Sequence, residues 1–120
     1  MSTSPEGFRD LTQQVTEQLA RLRTNTPETM KSFSALGRAA LADGALDKKT
    51  KEFIALALGV ASRCDPCIGF HAQALVRLGA TRQEIDEMLG VAVYMGGGPS
   101  LMYAASAIAA FDEFSAALPA

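Results

Sequence analysis

The sequence predicts an all-α chain that forms a single-unit helical bundle of about six helices. Apolar residues recur at every third or fourth position along most of the chain, as they do on one face of a helix. Glycine, proline and capping residues divide this pattern into six segments. No stretch alternates apolar and polar residues like a strand, and no internal repeat is present. The 120 residues predict one bundle, of a size at which partner subunits often contribute further burial.

The first half of the chain predicts three helices. Residues 6–23 carry apolar side chains at helical spacing and predict an amphipathic N-terminal arm, assigned to residues 1–25 (Phe8, Leu11, Val15, Leu19 and Leu22). Thr26 is the predicted N-cap of a second helix that Pro27 opens and that ends near Asp43 and Gly44. The inner face of this helix is predicted to consist of Met30, Phe33, Leu36 and Leu41. Asp47 is expected to cap a third helix, which is apolar on all sides over residues 53–61 and therefore predicts burial on every side.

The second half predicts three more helices. The fourth runs to Leu78 and stops at Gly79, and the fifth opens at a capping box formed by Thr81 and Glu84. The inner face of the fifth helix is predicted to be Ile85, Met88, Leu89 and Ala92. Glycines 96–98 lack a P-loop lysine and a preceding strand, so they indicate a helix break rather than a phosphate site. The last helix spans about residues 101–118, and its alanines permit close helix contacts (Ala104, Ala105, Ala107, Ala109 and Ala110).

Both cysteines and the single histidine lie within eight residues of the chain. Cys64 and Cys67 are three positions apart, which at a helix start brings the Cα atoms to roughly 5–6 Å, within reach of a disulfide. His71 follows Cys67 by one helical turn and can take or share its thiol proton. Asp65 is the expected N-cap and Pro66 the first helical residue, so that free backbone N–H groups lower the pKa of Cys67 below about 8.5. Cys64 would lie outside the helix, as the more exposed partner. The pattern predicts a redox-active dithiol.

Composition and charge exclude several classes of partner. A formal net charge of −2 gives no basic field for phosphates, so neither nucleic acid nor a membrane surface is expected as a partner. The longest apolar run, residues 53–61, is far shorter than the roughly 20 residues of a membrane span. Residues 1–10 do not resemble a signal peptide, and a cytoplasmic location is expected. In a reducing compartment, two neighbouring cysteines favour a catalytic or metal-binding role over a structural disulfide.

The residues alone leave several interpretations of the motif open. A structural zinc site usually takes four protein ligands, more than the cysteines and histidine here supply. A thioredoxin-like dithiol follows a strand, which this sequence lacks. Two inert buried cysteines beside a core histidine would also fit the composition. Glu52 lies at the edge of the apolar stretch of the third helix. Its simplest interpretation is that it is a solvated residue paired with a nearby lysine.

Glu52, Cys64, Cys67 and His71 form the pattern E-x(11)-C-x-x-C-x-x-x-H, which resembles the alkylhydroperoxidase D-like branch of the carboxymuconolactone decarboxylase family. The resemblance covers roughly residues 30–114 and implies an alkylhydroperoxidase D-like helical domain over residues 26–120. It further implies that Cys67 is peroxidatic, that Cys64 resolves, and that His71 and Glu52 relay protons through water. The namesake enzyme carries two copies of the helical unit and this chain carries one. The resemblance therefore implies a homo-oligomer, a trimer or hexamer.

The expected function is that of a thiol-dependent (alkyl hydro)peroxidase or disulfide oxidoreductase with an antioxidant role, acting without a cofactor or metal. The substrate would be a hydroperoxide or a disulfide, and the reductant a protein dithiol. Cys64 is an alternative nucleophile toward disulfides. A second candidate function is an oligomeric binding module with little turnover, and a third is a Cys/His metal site. Decarboxylation is not expected, because the decarboxylase branch lacks the dithiol.

One expectation is geometric. If the third and fourth helices form a straight antiparallel hairpin, Glu52 would lie ~15 Å below the tip of that hairpin, whereas His71 would lie only ~6 Å below Cys67. Contact between Glu52 and His71 would then require an inclined crossing of the helices, a bridging water or a neighbouring subunit.

Overall fold

The structure is a computed structural model that describes residues 4–118, and in this range it contains six α-helices and no strand. The helices are α1 (Phe8–Asn25), α2 (Pro27–Leu41), α3 (Lys48–Ala61), α4 (Asp65–Arg77), α5 (Arg82–Gly96) and α6 (Gly98–Ala116). The predicted all-α class is confirmed. The predicted arm and domain extend beyond this range at residues 1–3 and 119–120. Within it, every helix is too short or too polar to cross a membrane.

The hydrophobic core lies among α3, α4, α5 and α6. Its fully buried large side chains come from three of these helices (Leu56, Val60, Ile68, Leu75 and Ile85). Helix α6 contributes Ala104, Ala107 and Ala110, and these small side chains let α4 and α5 pack closely against it. Helix α4, which carries the dithiol, is thereby held between α3, α6 and α1.

Local capping signals place several helix ends as the sequence predicts. Asp47 accepts a hydrogen bond of 2.7 Å from the backbone N–H of Thr50 and caps α3. Thr81 and Glu84 form both hydrogen bonds of the capping box that opens α5. Gly79 ends α4 with a φ of 78°, a left-handed conformation that glycine adopts without strain. Thr26 occupies the N-cap of α2, although its hydroxyl donates backward to the carbonyl of Leu22 rather than capping the helix.

The start of α1 is capped from a distant part of the chain. Gly7 at its N-cap has no side chain, and the carboxylate of Glu113 on α6 accepts hydrogen bonds of 2.9 Å from the N–H groups of Phe8 and Arg9. Further along α1, the buried Thr12 lies against Gly69 of α4, where an added Cβ would lie 2.7 Å from the Thr12 methyl group. Helix α1 is therefore fixed to α4 and α6.

Two burial predictions are wrong for the single chain. Helix α2 has no buried residue, and in its predicted inner face the side chains of Phe33 and Leu36 are 70% and 63% exposed. Helix α3 is not buried on every side, because Ile54 and Leu58 lie on an exposed face. Helix α2 packs beside α1 and α3, outside the core among α3, α4, α5 and α6, so no part of the described chain covers its apolar face. On α3, the core covers the face that carries Leu56 and Val60 and leaves Ile54 and Leu58 exposed. Helical periodicity identifies an apolar face but does not show which molecule covers it.

Candidate active site

The four residues that the sequence singled out lie on one helical hairpin. Helices α3 and α4 pack against each other and are joined by residues 62–64. Glu52 is in the first half of α3, Cys64 immediately precedes α4, and Cys67 and His71 lie in its first two turns. The hairpin thus brings a dithiol, an imidazole and a carboxylate into one region.

Cys64 and Cys67 form a disulfide with a Cα–Cα distance of 5.2 Å, and both residues are half-buried. Helix α4 begins one residue earlier than predicted: Cys64, not Asp65, is its N-cap. The Cys64 Sγ accepts a hydrogen bond of 3.2 Å from the N–H of Cys67. Because Pro66 also suits the second position of a helix, Asp65 can take the first, with its carboxylate near the positive end of the helix dipole. A sulfur therefore occupies the position that a capping oxygen usually fills.

Glu52 contacts His71 directly within one chain. Its Oε2 lies 2.7 Å from Nδ1 of the imidazole, with the Glu52 side chain 4% and the His71 side chain 29% exposed. The interpretation of Glu52 as a solvated residue is therefore wrong. Within residues 4–118 no lysine forms an ion pair with Glu52, and the nearby Lys49 pairs with Glu84 of α5 at 2.9 Å.

A glycine on α3 lies where the two helices approach each other closely. Gly59 is buried, and an added Cβ would lie 3.3 Å from the Cβ of Cys67. Gly59 follows Glu52 by seven residues and so lies on the same face of α3, two turns away. The close approach of α3 and α4 at Gly59 and Cys67 accompanies the direct contact between Glu52 and His71. Neither a bridging water nor a neighbouring subunit is required for this contact.

The Glu52–His71 contact defines what the imidazole can do. A neutral imidazole that donates its Nδ1–H to the carboxylate keeps a lone pair on Nε2, where it can accept a proton. A protonated imidazole forms an ion pair with Glu52 and can return that proton. Since Cys67 is one helical turn from His71, about 6 Å along the axis, the arrangement suits proton exchange with the Cys67 sulfur, directly or through water.

A groove lies elsewhere in the described chain. It has a volume of about 820 Å³ and lies between α1, α4 and α6, lined among others by Asp10, Gln73 and Glu113. None of Glu52, Cys64, Cys67 and His71 lines it. Within residues 4–118, no three His, Cys, Asp or Glu side chains are grouped closely enough to hold a metal ion.

Comparisons with known proteins agree with this architecture. A model of the carboxymuconolactone decarboxylase family matches residues 27–110, from the start of α2 to the last third of α6. The chain belongs to the carboxymuconolactone decarboxylase family. The matched range contains all four residues of the candidate site.

Solved members of the carboxymuconolactone decarboxylase family share the fold. The apo structure of one from Legionella pneumophila is 63% identical, with a TM-score of 0.89 over 90% of this chain and 96% of that one. Another, from Thermotoga maritima, is 34% identical, with a TM-score of 0.69 over 74% of this chain and 92% of its own, and is named for possible involvement in an antioxidative response. An uncharacterized protein of Cupriavidus necator is 41% identical over 103 residues, which are 86% of this chain and 91% of that protein.

Sequence reasoning missed two residues of this region. Gly59 stands inside an apolar helical run, where a glycine lowers helix stability and can therefore indicate a packing contact. Arg63 has a φ of 56°, and the helix end that precedes the motif was the signal that this position needs a left-handed residue. Neither residue belongs to the spacing pattern that marks the dithiol.

Proposed function

We propose that this protein is a thiol-dependent peroxidase or disulfide oxidoreductase. The observation that carries the proposal is a Cys64–Cys67 disulfide one helical turn from an imidazole that is hydrogen-bonded to a buried carboxylate. Family membership supports it, because the CxxCxxxH motif is compatible with the alkylhydroperoxidase D-like branch. The name of the Thermotoga maritima relative points in the same direction.

In the oxidative half of the reaction, Cys67 acts as the nucleophile. His71 accepts the Cys67 thiol proton at Nε2 while Glu52 holds the other ring nitrogen. The Cys67 thiolate attacks one oxygen of a hydroperoxide, the O–O bond breaks, and the departing alkoxide takes a proton from His71 to give an alcohol. Cys67 is left as a sulfenic acid.

The sulfenic acid is then resolved by Cys64. The Cys64 thiol loses its proton as its sulfur attacks the Cys67 sulfur, the S–O bond breaks, and the departing hydroxide gains a proton to form water. This step yields the disulfide of the structure. A protein dithiol regenerates both thiols by two thiol–disulfide exchanges and becomes a disulfide itself. In sum, one hydroperoxide and one dithiol give an alcohol, water and one disulfide.

The two cysteines have different expected roles, and single substitutions separate them. Cys67→Ser removes the nucleophile and is expected to abolish peroxide consumption. Cys64→Ser removes the resolving thiol, so a sulfenic acid on Cys67 should accumulate and react with dimedone, as detected by mass spectrometry. Ser62→Ala, a change in the same connection outside the dithiol, is the matched control and should consume peroxide like the wild type.

Undiminished peroxide turnover in both cysteine variants would reject the peroxidase. Cysteines of the reduced protein that resist alkylation in the native state would instead favour a binding module with no thiol chemistry. If Cys64→Ser abolishes disulfide reduction and Cys67→Ser abolishes only peroxide consumption, Cys64 is the nucleophile toward disulfides.

A further inference from the structure

The connection between α3 and α4 contains a backbone conformation that its residue type disfavours. Arg63 has a φ of 56° and is the one non-glycine residue with a positive φ within residues 4–118. A left-handed conformation brings the Cβ of an L-residue close to its own backbone, so this position at a helix end usually holds glycine. Strained backbone conformations of this kind cluster at active sites and ligand-binding regions.

The same chain builds an equivalent turn with glycine. At the end of α3, Ser62, Arg63 and Cys64 donate backbone hydrogen bonds to residues four, three and five positions earlier, at 2.8, 3.1 and 3.0 Å. At the end of α4, Leu78, Gly79 and Ala80 donate to residues at the same offsets, at 3.0, 3.1 and 3.0 Å. Gly79 holds the left-handed position there, with a φ of 78°. The turn therefore does not require an arginine.

The side chain of Arg63 forms no ion pair that would stabilise the fold within residues 4–118. Arg63 is exposed, and none of the ion pairs within residues 4–118 includes it. Arg82, by contrast, pairs with both Asp86 and Asp112. Arg63 differs from the other exposed cations of the described chain because its backbone is strained and no ion pair of its side chain compensates for that strain.

Arg63 stands directly beside the dithiol. It is peptide-bonded to Cys64, so their Cα atoms are about 3.8 Å apart. An arginine side chain is longer than this separation, and a group bound by its guanidinium can lie next to the disulfide. The guanidinium presents parallel N–H donors that match the two oxygens of a carboxylate.

We propose that Arg63 determines the specificity of the dithiol site by binding a carboxylate that lies beside the thiols of the reductant. This proposal rests on the proposed function, because it identifies the class of dithiol that reduces the Cys64–Cys67 disulfide. The chemistry is thiol–disulfide exchange: a reductant thiolate attacks one sulfur, the other leaves as a thiolate, and a second reductant thiol completes the exchange. Arg63 takes no part in these bonds. It orients the anionic reductant.

The test measures reduction of the disulfide in the purified oxidised protein, with no peroxide present. Two probes are used: meso-2,3-dimercaptosuccinate, which carries carboxylates beside its thiols, and dithiothreitol, which is uncharged. The ratio of their second-order rate constants is compared between variants, because intrinsic differences between the two reductants then cancel.

Arg63→Ala keeps the strained turn and removes the cation, whereas Arg63→Gly removes both. Each is expected to lower the dimercaptosuccinate-to-dithiothreitol ratio by about threefold to fivefold, the effect of one exposed ion pair. Arg63→Lys keeps the charge without the planar donors and should fall between them and the wild type. Arg77→Ala, which removes an exposed cation at the far end of α4, should leave the ratio unchanged.

A second readout separates the side chain from the backbone. Arg63→Gly relieves the left-handed strain, which offsets the greater freedom of its unfolded chain, so its Tm should not fall below that of Arg63→Ala. An unchanged ratio in Arg63→Ala would overturn the proposal, and so would an equal slowing with both reductants. A ratio lowered in Arg63→Gly alone would assign the effect to the backbone and overturn it as well.

The outcome is independent of the peroxidase test. If peroxide is not a substrate, the dimercaptosuccinate-to-dithiothreitol ratio still shows whether Arg63 selects the reductant of a disulfide oxidoreductase. If neither probe reduces the Cys64–Cys67 bond in native protein, the dithiol chemistry of the proposed function fails together with this proposal.

Discussion

At the residue scale, the candidate site combines a dithiol and an imidazole on α4 with a carboxylate on α3, and the hydrogen bond between Glu52 and His71 joins the two helices. The spacing of Cys64, Cys67 and His71 fixes their shared position on α4, because a helix has one geometry. The contact between Glu52 and His71 depends on how closely α3 approaches α4, and the two helices are in close contact at Gly59 and Cys67. Spacing along the chain contains no crossing angle, so a straight hairpin predicted a separation that the structure does not have.

Glu52→Gln tests whether the buried carboxylate supports thiol chemistry through His71. The amide keeps the volume and can still accept the Nδ1–H, but it cannot stabilise a protonated imidazole. We expect alkylation of reduced Cys67 below pH 7 to slow by about tenfold, the effect of ~1.4 kcal/mol, as measured by rates of iodoacetamide labelling at several pH values. His71→Ala should remove the same low-pH reactivity.

The control is Glu87→Gln, the same chemical change at an exposed carboxylate of α5. It should label like the wild type. If Glu52→Gln lowers stability while its labelling rates follow the wild type at every pH, the Glu52–His71 contact serves folding and not proton transfer.

At the element scale, helix ends follow local sequence where their caps are local. Asp47 caps α3 and Thr81 caps α5 within three residues of their bonding partners, so a short sequence window contained both signals. The cap of α1 comes from Glu113, more than one hundred positions away, and no local signal predicts it. The N-cap of α4 differs from the prediction because the Cys64 sulfur, rather than the Asp65 carboxylate, accepts the capping hydrogen bond.

The capping box of α5 predicts a specific pH dependence. The backbone N–H of Thr81 donates to Glu84 and, with the ammonium of Lys49, holds the pKa of that carboxyl below its ordinary value of 4.5. A depressed pKa in the folded state means that the stabilisation is fully present above the unfolded-state pKa and is lost as the pH falls through the folded-state pKa. The loss therefore occurs below about pH 4.5.

Glu84→Gln makes this contribution measurable. At pH 7 the variant should have a lower urea midpoint than the wild type, and the difference should shrink as the pH falls below about 4.5, where Glu84 becomes neutral. Glu87→Gln on the same helix corrects for general charge effects. A difference that stays constant from pH 7 to pH 3 would contradict the assignment of the stabilisation to the ionised Glu84.

At the scale of the whole molecule, the chain leaves apolar surface uncovered. The exposed large apolar side chains include Phe33 and Leu36 on α2, Leu58 on α3, and Tyr94 and Met95 at the end of α5. Helix α2 is the extreme case, because it has an apolar face and yet no buried residue. An amphipathic helix gains most of its stability from burying its apolar face. In the single chain, the apolar face of α2 therefore lacks a packing partner.

A second copy of the chain is the occupant that we expect on the α2 face, here defined as Met30, Phe33 and Leu36. Full burial of Phe33 and Leu36 against another copy would contribute roughly 1.5–3 kcal/mol for each side chain. The wild type should therefore sediment as a multiple of its 12.7 kDa mass, with a trimer or hexamer expected.

The double variant Phe33→Asn/Leu36→Gln should sediment as a monomer. Because α2 contributes no buried residue, the helical circular dichroism of the core should persist. Leu118→Gln, at an apolar side chain that is 51% exposed near the end of α6, is the control and should keep the wild-type mass. Equal masses for the wild type and the double variant would show that the α2 face does not join copies of the chain.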